Sequence, residues 1–124
     1  MPIEVRRLLF SSDELAEALI AFNGHAKTKF LEPGRLDGIT LTSGDEVIAA
    51  KVALTGEDGK SRAVDLDETV IGAAIIRFCR DHQVPLPIKA GKCLGIVDGQ
   101  VALDITKPPR TRKATRAAAA AAAQ

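Results

Sequence analysis

The feature that most constrains this chain is Asp98-Gly99, set between the apolar runs Leu94 to Val97 and Gln100 to Ile105. Both central positions of a two-residue hairpin turn need positive φ. Asp-Gly supplies this at low steric cost, so the two runs are predicted to fold back as antiparallel strands. Pairing across the turn places Leu94, Ile96, Val101, Leu103 and Ile105 on one face. Such a face must be covered by another layer of the same chain.

Two segments have the period of helices and can supply that cover. Ser11 followed by Glu14 matches a capping box, and Leu15, Leu19 and Phe22 form a stripe behind it. Asn23-Gly24 offers a left-handed stop, which predicts a helix over 12–23. Asp65 and Glu68 repeat the capping pattern ahead of Val70, Ile71, Ala74, Ile75 and Phe78, and Pro85 and Pro87 prevent continuation. This predicts a second helix over about 66–82.

The remaining apolar residues alternate as strands do. Ile3 to Phe10 reads as a strand with Ile3, Val5 and Leu9 on one face and Glu4, Arg6 and Phe10 on the other. Ile39 to Leu54 reads as two strands broken at Ser43-Gly44-Asp45, the second carrying Ile48, Ala50, Val52 and Leu54 on one face. Gly56-Glu57-Asp58-Gly59 turns the chain into a short returning strand, Ser61 to Val64. Gly24 to Gly38 shows no period and is expected to be a long loop. The predicted fold class is α+β in the order β-α-β-β-β-α-β-β. It has one mostly antiparallel sheet of five to six strands and two helices packed on one face.

At 124 residues one domain is expected, spanning 1–106, with 107–124 as a basic, alanine-rich, flexible and disordered tail. Residues 1–106 hold 12 Lys/Arg against all 16 Asp/Glu, a net charge of −4, whereas 107–124 hold five cations and no acid. A run of seven alanines favours helix but is too short to be stable alone. No apolar run is long enough to cross a bilayer and no signal-peptide pattern opens the chain, so a cytoplasmic protein without membrane contact is expected. Two cysteines do not make a disulfide framework, and reduced thiols are expected.

Few residues form a constellation with chemical meaning. Cys79 and His82 have C-x2-H spacing, and Cys93 could join them at a metal ion or in thiol catalysis. A buried thiol and a helix-end histidine account for the same residues structurally, so no metal, cofactor or catalytic residue is assigned. Gly24 to Lys29 lacks the second glycine and the preceding strand of a phosphate loop. His25, Lys27 and Lys29 are kept as weaker candidates for contact with an anion.

The functional lead is basic charge. Arg77, Arg80, Lys89 and Lys92 gather around the end of the second helix and its Pro-rich turn, and Lys107, Arg110, Arg112, Lys113 and Arg116 follow in the tail. Such a set neutralises phosphates or carboxylates. With four phenylalanines and no other aromatic residue, platforms for stacking bases are scarce. The expected function is a small non-enzymatic binding or adaptor module that engages nucleic acid or an acidic protein. The alternatives are a homodimeric scaffold without a nucleic-acid role and a small enzyme using the 24–38 loop.

Overall fold

The computed structural model describes residues 3–44 and 47–107. The elements follow the order β1 (Glu4–Phe10), α1 (Ser12–His25), β2 (Gly34–Ser43), β3 (Ile48–Gly56), β4 (Ser61–Leu66), α2 (Glu68–Asp81), β5 (Gly91–Val97) and β6 (Gln100–Lys107). The tail from 108 onward, including Arg110, Arg112, Lys113 and Arg116, and the Asp45 end of the β2–β3 turn lie outside the described residues.

The expected single sheet is two antiparallel sheets of three strands, ordered β1-β6-β5 and β2-β3-β4. Each closes around its own centre. β6 pairs with the first strand on one side and with its hairpin partner on the other, and β3 does the same within the meander. β2 and β5 approach one another without a hydrogen-bonded ladder. Alternation reports which face of a strand is buried but not which strand lies beside it, which is why the split was not visible in the sequence.

The hairpin forms as expected. Asp98 and Gly99 take φ of 51° and 74°, and Leu94 faces Leu103 while Ile96 faces Val101. Ile48, Ala50, Val52 and Leu54 of β3 are all buried, and both helices press on these inner faces. α1 contributes Leu15, Ala18 and Leu19, and α2 contributes Ile71, Ala74, Ile75 and Cys79. Fully burying a side chain such as Leu19, Ile71 or Ile75 is worth about 1.5–3 kcal/mol, so these contacts dominate the cohesion of the layers.

The first strand turns its other face inward from the one expected. Leu8 and Phe10 join the core, with the Phe10 ring meeting Phe78 edge-on at 5.9 Å, while Ile3 and Leu9 stay about half exposed. Apolar residues stand on both faces of this strand, so alternation alone could not decide. The outward face is held by a charge pair. Arg7 donates through Nε and Nη2 to the two carboxylate oxygens of Asp104, at 2.7 and 3.2 Å, and Asp104 is buried. This hydrogen-bonded partner raises the Arg7 pKa, against the smaller opposing effect of burial.

The boundaries also shift. The α1 capping box forms between Ser11 and Glu14, but α2 is capped by Asp67, whose carboxylate accepts from Val70 N at 3.0 Å, and not by Asp65. Asp65 belongs to β4, which runs on through Leu66 and pairs Asp65 with Lys51. Glu68 accepts from Ile48 N at 3.2 Å, tying the start of α2 to the start of β3.

The expected loop over 24–38 contracts at both ends. Gly24 remains helical and β2 begins at Gly34. Gly34 takes a φ of 152° against β3, where an added Cβ would run into the Thr55 carbonyl, so a glycine that read as a loop signal serves close strand packing. Asp37 is the extra residue of a bulge between Leu36 and Gly38. Its carboxylate accepts from Thr55 Oγ1 and Arg35 Nε, which together hold its pKa below the usual range.

Candidate functional site

The end of α2 is built by backbone geometry that glycine usually supplies. Gln83 takes a φ of 57°, Val84 N donates to Cys79 O at 2.8 Å, and Gln83 N donates to Arg80 O at 3.3 Å. This is a Schellman motif, and it turns Val84 back over the last turn of the helix. The segment that follows is then fixed by two cations from sheet β1-β6-β5. Arg6 Nη1 donates to Pro85 O at 2.9 Å, and Lys92 Nζ donates to Pro87 O at 2.8 Å and to Ala90 O at 3.4 Å.

Between this segment and α2 lies an open groove of about 450 Å³ lined by Ile76, Arg80, Val84, Leu86, Ile88 and Lys92. Ile76 and Arg80 stand one turn apart on the same side of α2. Ile88 is 95% exposed and Ile76 37%, while Val84 and Leu86 are half-buried and form the floor. The Arg80 side chain is exposed and makes no hydrogen bond or ion pair among the described residues. An arginine fork beside aliphatic surface is chemically suited to a carboxylate or phosphate attached to something apolar.

The sequence-predicted cations therefore separate into distinct roles. Arg80 and Lys92 meet at the groove, and Lys89 is exposed on the segment that forms its wall. Arg77 does not line it; its Nε lies 3.7 Å from Asp81 on the next turn. Lys107 ends β6, exposed and opposite Glu4.

The weaker candidates sit at the end of α1. Lys29 is an element of the fold, since its Nζ donates to Asn23 O and Gly24 O, both at 2.8 Å, and so satisfies carbonyls that the helix leaves open. His25 and Lys27 are exposed and do not line the neighbouring cleft of about 430 Å³, whose walls include Ile20, Leu31, Leu36 and Leu54.

Cys79, His82 and Cys93 are not brought together. Cys79 is in the core, whereas Cys93 alternates with core-facing Leu94 and stands opposite Asp104, so sheet β1-β6-β5 lies between the thiols. Burial pushes the Cys79 thiol up, with the nearby Arg6 charge acting weakly against it, and a protonated thiol is a poor nucleophile and ligand. His82 is exposed at the C-cap, its ring 4.1 Å from that of Phe78 and its Nε2 3.7 Å from Glu17. Among the described residues, no three His, Cys, Asp or Glu side chains gather as a metal site. No helix of the described residues is long and apolar enough to cross a membrane.

The aliphatic half of the groove was missed by sequence reasoning. Ile76 falls outside the Ile71, Ala74, Ile75 and Phe78 stripe, and that was its available signal. Comparison with protein-family models, with curated proteins and with solved structures found no match.

Proposed function

We propose that this protein is a small binding or adaptor module, and not an enzyme, that engages an anionic partner through the groove at the end of α2. The observation that carries this reading is Arg80: an exposed guanidinium that forms no ion pair among the described residues, on a concave surface that Lys92 also lines. Most other arginines of the fold are engaged, Arg7 by Asp104, Arg35 by Asp37, Arg62 by Asp58 and Glu32, and Arg6 by a carbonyl. A cation left unneutralised in a concave site attracts negative charge from outside the chain. The cations Lys107, Arg110, Arg112, Lys113 and Arg116, in a stretch of sequence without acidic residues, are further candidates for the same kind of partner.

The test is binding of a fluorescein-labelled polyglutamate peptide to the full chain, followed by anisotropy as salt is raised. Affinity is expected to fall with salt, and Arg80→Glu is expected to weaken it by about tenfold or more, since it both removes a charged hydrogen bond and adds repulsion. Binding that ignores both salt and Arg80→Glu, or no binding at low salt, overturns the reading.

A further inference from the structure

We infer that the groove at the end of α2 selects an acidic protein segment carrying an aliphatic anchor, in preference to nucleic acid. The inference rests on the reading that Arg80 receives an anionic partner, and it adds what else that partner must carry.

The lining decides between the two classes. Four of its six residues, Ile76, Val84, Leu86 and Ile88, are aliphatic, and Ile88 projects at 95% exposure from a segment anchored on both sides by Arg6 and Lys92. A surface for single-stranded nucleic acid offers rings for the bases and cations for the phosphates. Here all four phenylalanines are engaged with one another, Phe10 against Phe78 and Phe22 against Phe30, and none lines the groove. A segment with leucine, isoleucine or valine between carboxylates matches both halves of the surface. Its aliphatic side chain covers Ile76 and Ile88, and a carboxylate reaches the Arg80 fork. Lys92 keeps one ammonium proton beyond the two directed at Pro87 and Ala90, and it assists at the far wall. The volume of about 450 Å³ is that of a site for a few side chains rather than for a folded surface.

The experiment compares a labelled Glu-rich peptide bearing leucines with a peptide of equal length and charge bearing serines in their place, and with a labelled single-stranded DNA. The expected result is that the leucine peptide binds the full chain about tenfold tighter than the serine peptide, the equivalent of covering one aliphatic side chain. Ile88→Ser, at a position with few contacts to lose, is expected to abolish that preference, so that the two peptides bind the variant equally. Arg80→Gln is expected to weaken both peptides. Equal binding of the two peptides, with loss on Arg80→Gln, overturns the anchor and leaves the anionic reading standing. Tighter binding of DNA than of the leucine peptide overturns the choice of partner. A dimer in sedimentation that Ile88→Ser dissolves assigns the groove to a second copy and overturns it too. If no probe binds, the anionic reading falls and this inference with it.

Discussion

α1 and α2 are each 14 residues long, each starts on a side-chain cap, and each ends near a lysine whose ammonium donates to backbone carbonyls. They differ in what remains exposed. At the end of α1, Lys29 closes the last carbonyls and Asn23 draws in the loop behind them, its Oδ1 accepting from Phe30 N and Leu31 N and its Nδ2 donating to Leu31 O. At the end of α2 the backbone closes itself through Gln83, and Lys92 holds the following turn from the neighbouring strand. Arg80 is thereby released from any capping duty. The lesson is that a cation near a helix end becomes available to a partner only when something else satisfies the carbonyls there.

The strongest way to break this comparison is to remove the Asn23 latch. Asn23→Ala leaves two amide donors and one carbonyl of a partly buried loop without partners, while gaining a few tenths of a kcal/mol in helix propensity. A net loss of about 2 kcal/mol, or about 8 °C in thermal midpoint for a domain of this size, is expected. Hydrogen exchange should localise the change, with the amides of Phe30 and Leu31 losing protection first. Unchanged exchange at those amides would mean that the loop is held by its side chains alone.

Lys29→Met isolates the second half of the latch. The stem is retained and the two exposed charged hydrogen bonds are lost, so the expected cost is about 0.5–1 kcal/mol in denaturant unfolding. If the protein is instead unaffected, Lys29 is not a cap in solution and returns to the set of cations available to a partner.

These two residues also mark how far the sequence could be read. Asn23-Gly24 signalled a helix end, and the end is indeed close by, but the amide acts on residues seven and eight positions later, a contact that no periodicity encodes. Gly34 and Gly38 read as loop because turn residues and close-packed strand residues are the same residues. Only the partner strand distinguishes them. Asp98-Gly99 and the β3 alternation were legible because turn chemistry and burial there point the same way. For the site, Arg80, Lys89 and Lys92 could be grouped because they flank one turn. The aliphatic floor could not, since Val84 and Leu86 look like core and Ile88 like an ordinary loop residue until the turn is folded.

The self-closing end of α2 can be sharpened in the opposite direction. Gln83 occupies a left-handed position that costs a residue with a Cβ about 1 kcal/mol, part of which glycine returns through the entropy of the unfolded chain. Gln83→Gly is therefore expected to raise stability by about 0.5 kcal/mol and to leave peptide binding unchanged, because Val84 keeps its bond to Cys79 O. Destabilisation would show that the glutamine side chain, and not its backbone, organises the turn.

The smallest expected effect on stability is the most informative. Arg80→Ala removes a side chain that is exposed and has no partner among the described residues, and alanine is the better helix former. Stability should stay within about 0.5 kcal/mol of the parent. The same substitution should weaken polyglutamate binding clearly, so that binding and folding respond in opposite proportion to what Asn23→Ala produces at the other helix end. A loss of stability on Arg80→Ala comparable to that at Asn23 would place Arg80 in the fold, as Lys29 is, and the contrast between the two ends would disappear.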